Sequence, residues 1–464
     1  MGTLAIGPPQ SHDMVEPLGE PDMIDTASEA KPARIGPVTL APGISRLNGA
    51  TLLYISFFSI ASTVFLSFVQ PYIFNEILHI PSDEQGRLAG NLVLFGEMIV
   101  LAFIGVAGVV SDKIGRRPVY MFGFIMLALG YMLYPLATSA TELIAYRMVF
   151  ALGIVGATSM LATVQADYPA EKDRGKLIGL MGFLQAIGVI LVVFTLSKLP
   201  QQLADGGMSP AEAGRTALWI FAGICLFNAG IARAGLKGGV PSTVTTREPF
   251  KAILKRGLRA AENPRIALSY VAAMVSRGDL STVSTFFSLW LVQEGVAKGM
   301  DSGAALAAGG KFFGIVQLSA LIWAPIVGIL CDRINRVSAL CMAMALAGGG
   351  YLIAGFLPDP TSAAMYPAAV ILGMGEVNAV LAAQALIGQE APRDGRGAVV
   401  GVFGVCGSIG VLIAGKLGGE LFDAWQPSAP FILMGIINCV LLVGALFVRV
   451  KWPGPGPVSR AEQK

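Results

Sequence analysis

Five ionisable residues lie inside long apolar stretches of the sequence: Glu97, Arg147, Arg277, Asp279 and Glu376. An ionised side chain within an apolar membrane span costs about 3 kcal/mol or more unless it has a partner, water or a proton. Counted at about 1.5 Å per residue, all of them except Arg147 fall near the middle of their spans. Secondary transporters hold their solutes at this depth, so the pattern predicts a solute or proton site.

The three carboxyl groups are candidates for proton coupling. A carboxyl group in a partly dry cavity can exchange protons as the cavity changes sides, and Asp279, Glu97 and Glu376 all qualify. Glu97 is matched in the second half of the chain by Gln317, so one half offers a titratable group and the other an amide. The alternative for each carboxyl group is a structural hydrogen bond to a neighbouring helix.

The two arginines favour an anionic or zwitterionic solute, because a guanidinium group binds carboxylate or phosphate through two parallel hydrogen bonds. Arg277 and Asp279 are two residues apart on a helix and point in different directions, so each needs a partner on another span. A structural ion pair between helices is the alternative for both residues. The predicted solute contacts are Arg147, Arg277, Gln317, Glu376, Asn378 and Gln185, of which the amides could instead join helices.

Composition indicates which elements carry these residues. With 54% hydrophobic and 14% charged residues, the chain has too little polar surface for a soluble protein of 464 residues. The alternation of a β-barrel is absent, so the sequence predicts an all-α polytopic membrane protein with about twelve spans. They lie near 51–74, 87–110, 118–138, 141–164, 176–198, 217–236, 266–293, 308–330, 338–357, 363–387, 397–419 and 428–449.

The sequence repeats itself after about 220 residues. The run from Gly108 through Asp112 to Arg117 recurs in weaker form around Asp332 and Arg336, and the Arg174 region recurs around Arg396. Parallel repeats of this size are typical of the two halves of a carrier. We therefore expect two pseudo-symmetric six-helix bundles, residues 50–236 and 266–450.

Loop charge predicts the orientation. Lys and Arg concentrate in alternate loops, which places those loops and both termini in the cytoplasm. Residues 1–49 have the composition of a disordered cytoplasmic tail, and residues 451–464 form a second tail. The linker 237–265 contains a basic amphipathic helix that suits an anionic lipid surface, although a solvated basic linker is the alternative.

The span count, the repeat, the Gly108–Arg117 loop and Arg147 in the fourth span together resemble the major facilitator superfamily over residues 50–450. The resemblance implies alternating access, activity as a monomer and a cytoplasmic gate in which Asp112, Arg116, Asp167 and Arg174 form an ionic latch. Asn335 and Val337 replace Gly115 and Arg117 in the second copy, which implies a weaker latch there. The implied gate residues are Gly108, Asp112, Arg116, Arg117, Asp167, Arg174, Asp332, Arg336 and Arg396.

Other classes have less support. The sequence has no P-loop, no nucleophile motif and no metal-spaced cluster, so it predicts a protein that is not an enzyme and needs no cofactor. The net charge of +3 reflects the loop bias and does not indicate nucleic-acid binding. The sequence favours a proton-coupled symporter of a small organic solute in a bacterial inner membrane. The alternatives are a drug efflux antiporter, a channel and a solute receptor that does not transport.

Overall fold

The structure is a computed structural model that describes residue 2 and residues 33–239, 250–392 and 395–454. Within these ranges the chain is almost entirely helical, and the only sheet is a two-stranded hairpin. The predicted all-α membrane class is therefore confirmed. The predicted tails and linker are only partly described. The residues outside the description are 1, 3–32, 240–249, 393–394 and 455–464.

Polar side chains start several long helices. The Ser45 Oγ accepts a hydrogen bond from the Asn48 N–H at 3.1 Å, and the Asn48 side chain accepts one from the Ser45 N–H at 2.9 Å. Ser209 and Glu212 form the same reciprocal cap, with Pro210 in the first turn. These caps satisfy N–H groups that the first turn of a helix leaves without partners.

The amino-terminal half contains six long apolar segments and one short helix, α6. Its helices are α1 (Arg46–Glu76), α2 (Gln85–Ile114), α3 (Arg116–Leu133), α4 (Ala140–Asp167), α5 (Arg174–Leu196), α6 (Leu199–Asp205) and α7 (Pro210–Gly235). Helix α3 packs on α4 and α7, α1 packs on α5, and α2 packs on α4. A linker helix, α8 (Phe250–Arg259), follows this half.

The carboxy-terminal half repeats this packing. Its helices are α9 (Pro264–Thr282), α10 (Ser288–Ala297), α11 (Ser302–Arg333), α12 (Arg336–Gly355), α13 (Met365–Glu390), α14 (Arg396–Ala424) and α15 (Ala429–Lys451). Helix α12 packs on α13 and α15, α9 packs on α14, and α11 packs on α13. The repeat in the motifs is thus also a repeat of helix neighbours.

Eleven helical segments of the described chain are long and apolar enough to cross a membrane. The predicted seventh span is not among them, because Arg277 and Asp279 interrupt its apolar surface. It is nevertheless one helical run over 264–297, in which a π-helical segment (Val283–Phe287) joins α9 to α10. The irregular segment begins just over one turn after Gly278.

An ordered hairpin precedes α1. Strands β1 (Arg34–Ile35) and β2 (Val38–Thr39) pair antiparallel, with Arg34 opposite Thr39. The Thr39 N–H donates to Asp173 Oδ2 at 2.9 Å, and the Ala170 N–H donates to the Thr39 carbonyl at 2.9 Å. The disorder predicted for residues 1–49 therefore does not extend to residues 33–49, because the α4–α5 loop supplies backbone and side-chain partners.

The linker helix α8 lies against the start of α14. The Tyr270 hydroxyl donates to the Gly257 carbonyl at 2.8 Å, and a Cβ on Gly257 would lie 2.5 Å from the Ala398 carbonyl oxygen. Leu258 and Arg259 are exposed on the far side of the helix. Gly257 thus lets α8 pack closely while Lys255, Arg256 and Arg259 remain exposed.

The two halves contact each other mainly through α2 with α14 and α5 with α11. We call the side of the molecule with loops 112–117 and 332–336 the basic face. Side-chain hydrogen bonds between described residues of the two halves lie midway through the molecule or at the face opposite, which is therefore closed. Those at the opposite face join Asn75 to Ser302, Gly86 and Arg87 to Asp423, Arg87 to Glu420, Asn91 to Lys416, and Ser82 and Gln85 to Gln293.

Candidate solute site and gates

Arg147 places a partly unpaired guanidinium group inside the amino-terminal half. The side chain is 7% exposed on α4, and its Nη2 donates to Ser67 Oγ of α1 at 3.1 Å. Its Nε and Nη1 have no hydrogen-bond partner among the described residues. The ring centroid of Phe150 lies 5.3 Å from the guanidinium carbon. A buried guanidinium group with free donors is suited to an anionic ligand.

Glu97 lies where the two halves meet, midway along α2. Its side chain is hydrogen-bonded to Ser408 of α14, and it interacts electrostatically with Arg277 and Arg147. Arg277 itself is exposed, although it lies midway through the molecule, and its stem packs over Gly407. Glu97 and Arg277 therefore lie where α2 of one half faces α9 and α14 of the other.

Asp279 and Glu376 form a second polar group, within the carboxy-terminal half. Asp279 is 0% exposed and Glu376 is 3% exposed, and the two carboxyl groups lie within electrostatic range of each other. Asn438 Nδ2 of α15 donates to both Asp279 oxygens, at 2.9 and 3.2 Å. The Tyr351 hydroxyl also lies within electrostatic range of both acids. No lysine or arginine of the described residues forms an ion pair with either acid. We call Asp279 and Glu376 the acid pair.

Aromatic side chains surround one side of the acid pair. Phe431 of α15 stacks on Tyr351 with ring centroids 6.1 Å apart, and it contacts Trp290 at 5.4 Å and Phe287 at 5.9 Å. The π-helical segment supplies Phe287. This packing keeps water from the acid pair on that side.

The remaining predicted solute contacts do not converge on one point. Asn378 is buried on α13, whereas Gln317 on α11 and Gln185 on α5 are half-buried. No side-chain hydrogen bond of these three amides is found among the described residues. The structure therefore brings together Glu97, Arg147 and Arg277, and separately Asp279 and Glu376.

The basic-face loop of the first half forms an ionic cluster. Arg116 pairs with Asp112 and, through Nε, with Asp167 Oδ2 at 3.2 Å. It also donates to Ser111 Oγ at 2.7 Å, and the Ser111 Oγ in turn donates to the Gly108 carbonyl at 2.8 Å. These bonds join α2, α3 and α4 of the amino-terminal half.

Other implied gate residues lie outside that cluster. Arg174 pairs with Glu171 at 2.8 Å, and Arg117 donates to the Arg233 carbonyl at 3.3 Å. In the second half, Arg336 pairs with Asp332 at 3.1 Å, and Arg396 donates to the Gly388 carbonyl at 3.1 Å. The second copy keeps the Asp–Arg pair, but the side chain of Asp332 is 77% exposed. The weaker latch expected there stays a prediction.

Asn438, Tyr351 and Ser408 were not predicted as site residues. The sequence could have indicated Asn438, because a lone amide within the apolar run 429–448 usually pairs with another helix. It could not have indicated Tyr351 or Ser408, because tyrosine and serine are common in membrane helices. Their positions depend on which helices become neighbours.

Two similarly packed six-helix bundles with ionisable groups buried inside them are typical of polytopic membrane transporters. The family model described as Major Facilitator Superfamily matches residues 52–415 and 312–464. The chain belongs to this superfamily, as the motifs suggested. It is a transporter and not an enzyme, as predicted.

Curated relatives include magnetosome proteins and resistance proteins. Magnetosome protein MamH of Paramagnetospirillum magneticum is 27% identical over 386 residues, covering 82% of this chain and 87% of MamH. MamZ of the same organism is 26% identical over 378 residues, covering 79% of this chain. This chain spans only 57% of MamZ. The class C tetracycline resistance protein of Escherichia coli is 25% identical, covering 72% of this chain and 79% of that protein.

Solved structures share the fold. A variant of the nucleoside transporter NupG superposes with a TM-score of 0.71 at 12% identity, covering 86% of this chain and 99% of NupG. A bacterial homologue of the lysosomal transporter Spinster, in an inward-facing and unoccupied conformation, gives 0.58 at 14% identity over 87% of this chain and 94% of that one. At these identities the likeness concerns architecture alone.

Proposed function

We propose that this protein is a proton-coupled carrier of a small organic anion or zwitterion and that it works by alternating access. Residues 50–236 rock against residues 266–450, and a central cavity opens to each face in turn. The acid pair carries the proton, and Arg147 and Arg277 hold the solute. Glu97 lies between the two arginines at the level where the halves meet.

The observation that carries this proposal is the buried acid pair, which has no cationic partner in the part of the chain that the structure describes. Removing a carboxylate from water costs several kcal/mol, and a second carboxylate beside it adds repulsion. Asn438 donates to Asp279 only through its Nδ2, which does not neutralise two charges. A proton on at least one acid would relieve this cost, which supports a role for the acid pair in proton coupling.

The favoured solute class follows from Arg147. Its Nε and Nη1 are buried without a hydrogen-bond partner among the described residues, and a carboxylate or phosphate oxygen could accept a hydrogen bond from either nitrogen. Arg277 reaches the same region from the other half through its interaction with Glu97. A solute held between these arginines would contact both halves, as a carrier that couples binding to rocking requires.

For the orientation, we place the basic face in the cytoplasm of a bacterial inner membrane, because lysine and arginine are retained there. The linker helix supports this placement. Its exposed Lys255 and Arg259 flank the exposed Leu258, which suits an anionic lipid surface. The carrier in this structure is then open to the cytoplasm.

The test is solute-driven proton movement in proteoliposomes that enclose a pH-sensitive dye. Pools of organic anions, amino acids, sugars and lipophilic cations are added outside while the membrane potential is clamped. Symport predicts internal acidification with an anionic or zwitterionic pool. A channel would give flux without saturation, and a receptor that does not transport would give none.

Asp279→Asn removes one titratable group while keeping the side-chain shape. We expect it to abolish solute-driven acidification and uphill accumulation, while downhill counterflow of labelled solute persists. Asp301→Asn, an exposed carboxylate of the same half, is the matched control and should behave like the parent protein. Unchanged acidification in both Asp279→Asn and Glu376→Gln would exclude the acid pair as the proton carrier.

A second candidate is proton-coupled efflux of lipophilic compounds. The similarity to tetracycline resistance proteins favours it, as does the aromatic packing around Phe431. In vesicles with an acidic interior, efflux by antiport predicts internal alkalinisation when a lipophilic cation is added. If a lipophilic cation caused alkalinisation and anions caused no response, lipophilic compounds would replace organic anions and zwitterions as the favoured solutes.

A further inference from the structure

Helix α2 begins without a cap from its own neighbourhood. Its N-cap residue, Glu84, has helical backbone angles and makes no side-chain capping bond. The N–H groups of Gly86 and Arg87 donate instead to the two oxygens of Asp423, at 2.8 and 2.6 Å. Asp423 lies in the last turn of α14, in the other half of the molecule. One half therefore caps a helix of the other.

Close backbone packing makes this contact possible. A Cβ on Gly90 would collide with the Gly415 carbonyl oxygen, and a Cβ on Gly419 would lie 2.5 Å from the Gly86 carbonyl oxygen. Glycines at these places let α2 and α14 approach nearly to backbone contact at the face opposite the basic face. The Asp423 carboxylate then reaches the first turn of α2 without a long side chain.

The neighbouring charged pairs are of a different kind. Arg87 Nε lies 3.2 Å from Glu420, and Lys416 bridges Glu420 and Asn91, but the side chains of Arg87, Glu420 and Lys416 are 41–53% exposed. Exposed pairs of this sort contribute little because water competes for both partners. The Asp423 bonds join a full negative charge to the positive end of a helix, and the bond to the Gly86 N–H is partly buried whereas the bond to the Arg87 N–H is exposed.

We infer that Asp423 is a positioning residue for the transport cycle, because it caps α2 only while the face opposite the basic face is closed. When the bundles separate at that face, the first N–H groups of α2 lose their acceptor and only water can replace it. The cap thus stabilises the arrangement seen here relative to the one that opens the other way. The inference requires a carrier that alternates between two faces, and it does not depend on the solute or the proton.

The test is a distance measurement across that face by double electron–electron resonance. Spin labels replace Met208 and Ala363, which are exposed on opposite halves, in a protein whose five cysteines are changed to alanine. The parent protein should show mainly the short distance. Asp423→Ala should raise the ratio of long to short distances by roughly tenfold, as expected for the loss of charge-assisted hydrogen bonds.

Three variants make the result specific. Arg87→Ala, which removes only an exposed pair, and Asp359→Asn, which removes an ion pair within one half, should each leave the ratio within twofold of the parent. Asp423→Asn keeps an acceptor without the charge and should give an intermediate shift, which tests the cap in a variant of unchanged shape. An unchanged ratio in both Asp423 variants, or an equal shift in Arg87→Ala, would overturn the inference.

Discussion

Arg147 holds its guanidinium group in the protein interior with two of three nitrogens unsatisfied, and a ligand that accepts from them would offset this cost. Lysine keeps the charge but has no planar fork for a bidentate anion. We therefore expect Arg147→Lys to raise the KM for an anionic solute by roughly ten- to hundredfold, with kcat less affected. Initial rates of labelled solute uptake over a range of concentrations would measure both.

Arg215→Lys is the control for this substitution, because Arg215 donates to the Pro135 carbonyl on the surface of the same half. It should leave KM unchanged. If Arg147→Lys instead lowered kcat and left KM alone, Arg147 would belong to proton transfer or conformational change.

For single residues, the sequence predicted which ionisable side chains lie in the spans, but it did not predict which residues they contact. A carboxylate in an apolar span is visible in the sequence, so Asp279 and Glu376 were found without a structure. That they lie near each other depends on the packing of α9 against α13, and that Asn438 completes the group depends on α15. No rule based on spacing along the chain connects residues so far apart.

At the scale of elements, glycines decide how closely helices pack. A Cβ on Gly410 of α14 would collide with the Met274 carbonyl oxygen of α9, whereas Gly404 of the same helix has nothing within 4 Å. Overpacking of this kind typically costs about 1–3 kcal/mol. We expect Gly410→Ala to lower the thermal midpoint of unfolding in detergent by several degrees.

Gly404→Ala is the matched control, since alanine favours a helix over glycine by up to about 1 kcal/mol and meets no obstacle there. The thermal midpoint of unfolding of Gly404→Ala should equal or exceed that of the parent protein. Equal destabilisation by the two changes would mean that helix flexibility, and not the α9–α14 contact, determines the effect.

Long apolar runs were sufficient to predict the membrane helices, because a span needs about twenty apolar residues whatever its neighbours. Two elements could not be predicted in this way. The π-helical segment contains ordinary span residues such as Phe286, and its hydrogen bonding reflects tertiary packing. The hairpin at residues 34–39 is ordered by Asp173 and Ala170, which lie more than 130 residues further along the chain.

At the scale of the molecule, the proposed rocking requires the closed face to open. Asn75 Nδ2 donates to Ser302 Oγ across the halves at 3.2 Å, so cysteines at these two positions should form a cross-link. In a protein without the native cysteines, oxidation of the Asn75→Cys, Ser302→Cys pair should abolish transport, and reduction should restore it. Solute binding from the basic face should survive the cross-link, as equilibrium binding in detergent would show.

The paired control joins two positions within one half. Lys298 and Asp359 form an ion pair at that same face, and both belong to the carboxy-terminal half. Cross-linked cysteines at those positions should leave transport intact. Continued transport by the Asn75–Ser302 cross-linked protein would contradict rocking at this face.

The repeat offset of about 220 residues predicted two bundles, and the same helix contacts recur in both. Which face is closed could not be predicted, because one sequence encodes both arrangements of an alternating carrier. The basic-face cluster illustrates this. The motif indicates a latch between halves, whereas here Arg116 binds only residues of its own half among those described.

The unequal charge distribution between the halves has an evolutionary consequence. Gene duplication begins with two identical units, yet here the buried guanidinium group of Arg147 belongs to one unit and the acid pair to the other. In the mechanism proposed above, mutations at Arg147 that alter which cargo is held need not disturb the acid pair. Descendants of a gene with this division of roles can therefore diversify in cargo while inheriting their energy source unchanged.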